Sequence, residues 1–269
     1  MRFEKDSLLQ SMLFAPLHAV IANLKTEHFP TLDELNALLL NREIAVQGGS
    51  ELRFAEPQSG RLAFEEQYEP RCYLTGEVQT RRDNWHDLFN ALVWLTFPKT
   101  KAAINARHYR ALMSAEGKDG RGALRDTNTL LDESGVMVAY ADEELADLLR
   151  NFQWRELFWQ RREQTKNSMR FYIFGHGLYE KAMQPYVGMT GHGLLIKVER
   201  GFFGLPIEQQ LAHLDDRVAE HLADHCISTR ELSPVPLLGV PGWTADNEYS
   251  CYYDNTAYFR MGRVRRVQL

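Results

Sequence analysis

Leu8, Leu9, Met12, Leu13, Leu17, Val20, Ile21 and Leu24 recur at the spacing of one helical face and predict an amphipathic core helix near the start of the chain. Thr31-Leu32-Asp33-Glu34 has the form of a capping box, opening a short helix through Leu35, Leu38 and Leu39 to about Asn41. After Gly48-Gly49-Ser50 the period changes. Leu52, Phe54, Leu62 and Phe64 alternate with polar residues around Pro57-Gln58-Ser59-Gly60, which predicts a β-hairpin, and Tyr73 to Val78 reads as a further extended piece. Beyond Pro98, the positions Ala102, Ala103, Ile104, Ala106, Leu112 and Met113 fit a helix with proline in its first turn, where the missing N–H has no helical partner.

In the second half, Ala123 to Asp132 and Gly135 to Tyr140 read as two strands joined by the turn Asp132-Glu133-Ser134-Gly135. Asp142 then caps a long helix through Leu145, Leu148, Leu149, Phe152, Leu157 and Phe158. Met169 to Phe174 and Leu194 to Val198 predict strands, and a short helix follows Gly175-His176-Gly177 to about Met183. A helix is expected from Ile207 to about Cys226, then a Pro-rich loop over 233–243, a last strand from Tyr252 to Phe259 and a basic tail. Strand and helix signals mix without regular alternation, so the expected class is α+β. The expectation is a single domain, 1–269, with early β-hairpins, a mixed or antiparallel sheet and several packed helices; the glycine-rich loop 116–122 is the best internal boundary.

The densest stretch is Arg82 to Lys101, which combines Trp85 and Trp94 with His86, Asp87, Asn84, Asn90 and a closing Pro98-Lys99-Thr100-Lys101. Two readings of it stand side by side. In the first, Trp85, Leu88, Phe89, Leu92, Val93, Leu95 and Phe97 anchor a core segment, and each fully buried side chain contributes roughly 1.5–3 kcal/mol. In the second, His86 is a base near neutral pH with Asp87 beside it, and Asn90 lies four residues on along the same helical face. Asn105 and His108, three apart, would form a neighbouring pair.

Charge changes the picture locally. The whole chain carries −5 with a pI near 6.0, which argues against a general polyanion binder. Residues 81–110 nevertheless carry a net +4, from Arg81, Arg82, Lys99, Lys101, Arg107 and Arg110 against Asp83 and Asp87. Lys99, Lys101 and Arg107 are therefore the candidate contacts to a substrate phosphate. Imidazole and carboxylate groups so placed suit a divalent metal, with His86, His108 and His192 as candidate ligands.

The pattern N-W-H-D-L-F-N-A-L-V-W-x-x-F-P-x-x-K, here Asn84 to Lys101, and the downstream F-G-H-x-L-x-E-K, here Phe174 to Lys181, resemble a bacterial family defined only by a domain of unknown function. The resemblance covers most of the chain and implies a shared fold, with no activity attached. The order of His86, Asn90, Lys101, Asn105 and His108 is also similar to the histidine–asparagine–histidine nucleases, whose ββα finger holds one metal. That likeness implies His86 as general base, Asn90 as its orienting group, and Asn105 or His108 as a metal ligand. It departs from the nuclease pattern in one respect, since residues 54–84 hold no histidine on a preceding strand.

His176 sits between glycines at a strand end, where small neighbours allow close approach, and Glu180 four residues on is placed to orient its imidazole. His192 is likewise flanked by glycines. Asp132 and Glu133 read as a solvated turn, and His213, His221 and His225 as surface positions on a late helix. There is no G-x-S-x-G elbow, Walker loop or G-x-G-x-x-G segment, which removes the commonest hydrolase, kinase and dinucleotide readings. Cys72, Cys226 and Cys251 are widely spaced, which suits a reducing compartment and no disulfide-linked partner. The N-terminus lacks a signal peptide's basic region and no run is long enough to span a membrane, so a cytoplasmic location is expected. The leading expectation is a hydrolase, metal-assisted or acid–base, centred on His86, Asp87, Asn90 and His176 and acting on a phosphate-containing substrate or nucleic acid. The rival is a non-enzymatic interaction protein using the Pro-rich loop with Trp243, together with the basic tail.

Overall fold

In the computed structural model, which describes residues 3–25, 28–40, 42–114, 121–224 and 228–262, the N-terminal apolar run is not one helix. It divides into α1 (Lys5–Gln10), a 3-10 segment (Met12–Leu17) and α2 (His18–Ala22). Pro16 lies inside the 3-10 segment, where its missing N–H weakens an α-helical ladder. The capping box does form. Glu34 N–H donates to Thr31 Oγ1 at 3.3 Å and Thr31 N–H to the Glu34 carboxylate at 2.9 Å, opening α3 (Leu32–Ala37).

The early hairpin does not. β1 (Arg53–Ala55) pairs in parallel with β2 (Glu77–Gln79), and α4 (Tyr68–Thr75) provides the crossover. Parallel strands cannot be joined by a tight turn, so Leu62 and Phe64 belong to the connection, which includes a 3-10 turn at Phe64–Glu66. Tyr73 and Leu74 are helical rather than extended. Gly76 ends α4 at φ 74°, and a Cβ there would lie 2.0 Å from the Glu51 carbonyl oxygen, so glycine is required.

The dense central stretch becomes two consecutive helices, α5 (Trp85–Thr96) and α6 (Pro98–Met113). Asn84 caps α5 by accepting from Asp87 N–H at 2.9 Å. Leu88, Phe89, Leu92, Val93, Leu95 and Phe97 are all buried, as the packing reading expects. Trp85 stacks on Phe3 and Phe89 and meets Phe29 edge-on, tying α5 to the N-terminal segment. Phe97 gives α6 no side-chain cap. Asp215 serves instead from a distant helix, accepting from Thr100 N–H at 2.7 Å and Lys99 N–H at 3.0 Å.

The predicted strand 123–132 is instead the later part of α7 (Arg121–Ser134), and β3 (Gly135–Tyr140) starts immediately after it. The proposed boundary loop lies almost wholly outside the described residues, at 115–120. The long helix expected after Asp142 is broken. Asp142 does cap α8 (Glu143–Arg150), but Phe152 turns at φ 60°, a π-helical turn spans Glu156–Gln160, and α9 (Arg162–Ser168) follows. β4 (Met169–Ile173), α10 (His176–Ala182), β5 (Thr190–Lys197), α11 (Ile207–Asp224) and β6 (Leu232–Pro236) complete the set. The last predicted strand is a 3-10 segment, Ser250–Asp254.

The main sheet has the order β4-β3-β5-β6, with β3 and β5 parallel and both outer pairs antiparallel. β3, Gly135 to Tyr140, is buried along its whole length, as a central strand covered on both faces requires. β6 tolerates Pro234 and Pro236 because it is an edge strand. One continuous apolar core runs from Phe3 to Phe259 and joins both sheets to the helices. The fold is α+β. No helix among the described residues is long and apolar enough to cross a membrane.

Candidate functional site

Three segments meet around one cavity of about 410 Å³: the first turn of α5, the end of α7 and the start of α10. Each delivers one group. His86 comes from α5, Glu133 from α7 and His176 from α10. The packing that brings them together requires glycine at Gly175 and is close at Gly177. A Cβ on Gly175 would lie 2.4 Å from Ser134 N, and one on Gly177 would lie 2.6 Å from the Glu133 carboxylate.

The two imidazoles face each other through Nε2 at 3.1 Å. Glu133 Oε1 lies 3.4 Å from His176 Nε2 and 3.8 Å from His86 Nε2. The other ring nitrogens face carboxylates. His86 Nδ1 is 3.2 Å from Glu180, and His176 Nδ1 is 3.6 Å from Asp132, a charge contact longer than a hydrogen bond. A carboxylate beside Nδ1 favours the tautomer that carries the proton there and leaves Nε2 as a lone pair. Two lone pairs at 3.1 Å repel unless a proton or cation lies between them. Glu133 Oε1, 3.4 and 3.8 Å from the two nitrogens, faces the same gap as a third donor.

The spacing can be tested against a metal. Ligands about 2.0–2.2 Å from a common ion at tetrahedral angles stand roughly 3.3–3.5 Å apart. The three observed separations bracket that value, and all three atoms lie within 4.8 Å of one another. The donor set of two imidazoles and one carboxylate, with an open cavity side, suits zinc or a similar divalent ion.

Behind His176 stands a buried charge pair. Lys101 is only 3% exposed, contacts Asp132 at 2.5 Å and lies 5.6 Å above the Trp94 ring. Burial alone would raise the Asp132 carboxyl, but Lys101 and the neighbouring His176 hold it below the usual range. Contact with His176 likewise lowers the Glu133 carboxyl, against a smaller opposing effect of burial. Both acids are thereby kept ionised.

Other residues named from the sequence fall differently. Asp87 lines the cavity, but its carboxylate is held by Arg81, which donates through Nε, Nη2 and the backbone N–H, each at 2.8 Å. Burial opposes ionisation of Asp87 and Arg81 outweighs it, so the carboxyl titrates low. Asp87 therefore anchors the 81–87 turn instead of serving His86. Asn90 lines the same cavity and donates to the Tyr68 hydroxyl at 2.7 Å. His108 also lines it, although it stands outside the three-group cluster. His192 is on β5 opposite Gly135 and is not among the cavity residues, so it does not join His86. Glu180, expected to orient His176, faces His86 instead.

The expected phosphate contacts point elsewhere. Lys99 pairs with Asp216, Lys101 is the buried partner of Asp132, and Arg107 donates to the Leu222 carbonyl. None of the three lines the cavity. Residues 85–113 form two helices, so the ββα finger of the nuclease resemblance is not present there. Asp132 and Glu133 were hidden by the turn reading; Thr127 and Leu131, both buried and four apart, carry the helical signal that would have placed them. Part of the Pro-rich segment is β6, and Trp243 lines a second groove. His225, Cys226, Arg263, Arg265 and Arg266 lie outside the described residues.

Fold and cluster together define an α+β protein whose helices carry a histidine–carboxylate cluster beside a mixed sheet. A family model described as a protein of unknown function (DUF3025) matches residues 52–263, and the chain belongs to that family. The matched span includes His86, Glu133 and His176. No curated protein and no solved structure matches the chain.

Proposed function

We propose that this protein is a metal-dependent hydrolase in which His86, His176 and Glu133 hold a divalent cation, zinc being the best match. The convergence of two Nε2 atoms and one carboxylate oxygen at 3.1, 3.4 and 3.8 Å supports the reading. A bound ion of this kind supplies an activated water and polarises the scissile group. Glu180 orients the His86 imidazole from behind, as an outer carboxylate does in histidine–metal sites, while Asp132 acts on His176 through charge at 3.6 Å. Tyr68 lines the same cavity; the residue is 36% exposed, yet desolvation of its phenol against the cavity wall, reinforced by Cys72, Glu69 and Asp132, raises it above the usual range. It stays protonated at neutral pH. With Asn90 donating to its oxygen, its own O–H is left to donate to developing negative charge.

The lining also bears on the substrate. Of the cations expected to meet phosphate, Lys99, Lys101 and Arg107, none lines the cavity, and the guanidinium that does, Arg81, is engaged with Asp87. A phosphate finds no Lys or Arg free to meet it among the described lining residues, whereas a neutral carbonyl compound needs none. We therefore place an ester or amide ahead of the phosphate substrate that the local basic run suggests. The test is hydrolysis by zinc-loaded protein of p-nitrophenyl acetate and bis-p-nitrophenyl phosphate, against His176→Ala and Glu133→Gln. Turnover of the acetate that needs zinc and falls at least a hundredfold in both variants supports the reading. Turnover unaffected by chelation, or equal in the variants, overturns it.

A further inference from the structure

A second cavity, of about 340 Å³, opens between β4, the start of α11 and the segment at Val240–Trp243. Its walls are mainly apolar, with Phe171, Pro241 and Trp243 among them, and no carboxylate lines it. Its rim exposes large apolar groups: Met12 is 55% exposed, Leu205 39% and Ile207 36%. The volume lies at the lower end of small-ligand cavities, which run from roughly 300 to 1,000 Å³.

One charged group is built into this wall. Arg170 donates through Nη1 to the Gln210 amide oxygen at 3.0 Å, and its guanidinium lies 5.7 Å from the Phe203 ring. Gln210 is 1% exposed and cannot turn away, because its own amide nitrogen donates to Leu205 O at 2.7 Å and the Tyr172 hydroxyl donates to its oxygen. Arg170 is thus fixed by neutral partners and enters no ion pair among the described residues. A guanidinium has five N–H donors in a planar fork that matches a carboxylate. The other cation at the cavity, Lys166, is already engaged with Glu163 at 3.0 Å.

We propose that this cavity binds an amphipathic monocarboxylate, with its head group on Arg170 and its apolar body against Phe171, Pro241 and Trp243. An apolar ligand alone would leave Arg170 without a counter-charge, and a small multivalent anion would leave the apolar wall uncovered. Charge and shape together select a molecule with one acidic end and a short hydrocarbon or aromatic body. The site is separate from the His86 cluster and shares no lining residue with it.

Decanoate is the probe, titrated into the full chain by calorimetry with chelator present. Saturable one-to-one binding is expected, weakened at least tenfold by Arg170→Met and unchanged by His176→Ala. Ile207→Trp, which fills the groove and leaves Arg170 in place, should also abolish binding and decides the matter if Arg170→Met fails to fold. Decanoate bound equally by wild type and the groove-filling variant, bound only through His176, or not bound saturably, overturns the proposal.

Discussion

Replacing Lys101 with Met removes the cation and keeps most of the apolar stem of the side chain. Lys101 is 3% exposed, contacts Asp132 at 2.5 Å, and has Trp94 beneath it at 5.6 Å. Without it, Asp132 becomes a carboxylate at the cavity edge with no cation paired to it. Breaking a buried pair from one side costs about 3–5 kcal/mol. One fifth of the Asp132 side chain remains exposed, so solvent entering the cavity moderates that penalty. The lost cation–π contact adds roughly 0.5–2 kcal/mol, partly offset by methionine packing on the same ring. The expected loss is therefore about 3 kcal/mol, read from urea denaturation followed by circular dichroism with an unchanged slope. Adding Asp132→Asn to Lys101→Met removes the unpaired charge and should restore at least half of the loss. A single variant within 1 kcal/mol of wild type, or a double variant no more stable than the single, would refute the buried-pair argument.

Four other outcomes follow from the same geometry. Zinc at a hundred times its dissociation constant should stabilise the wild type by about 2.7 kcal/mol, and His86→Ala should abolish the shift in a thermal melt. Gly175→Ala puts a methyl within 2.6 Å of three backbone atoms of residues 133–135. It should cost about 1–3 kcal/mol and weaken zinc affinity as well, both measurable on one preparation by denaturation and metal competition. Asn84→Ala removes the α5 cap and should cost about 1 kcal/mol without touching zinc affinity. Glu180→Gln should weaken zinc binding by 10- to 100-fold in a competition assay while leaving the melting temperature of the metal-free protein unchanged.

The apolar spacing of Leu88, Phe89, Leu92, Val93 and Leu95 was enough to place the central core, because burial follows directly from a helical period. His86 and His176 were also visible as candidates, the first from its dense surroundings and the second from its flanking glycines. Their partners were not. Glu133 and Asp132 reach the site only because α7 is helical to Ser134, and Asp-Glu-Ser-Gly reads as a turn when taken alone. Glu180 stands four residues after His176, but spacing along one helix does not reveal that a second helix brings His86 nearer to it. Lys101 shows the same limit. A basic residue in a basic run looks exposed, yet this one is turned inward by an acid thirty-one residues away in the chain. The early hairpin failed for a related reason: alternation marks strands without naming their partners, and β1 found its partner beyond α4.

X-ray anomalous scattering at the zinc edge, on crystals of the zinc-loaded full chain, tests the central claim most directly. The account predicts one strong peak within about 2.0–2.2 Å of His86 Nε2, His176 Nε2 and a Glu133 carboxylate oxygen. No peak between those three groups, or a peak held by other residues while His86 and His176 remain in contact through a shared proton, would contradict it.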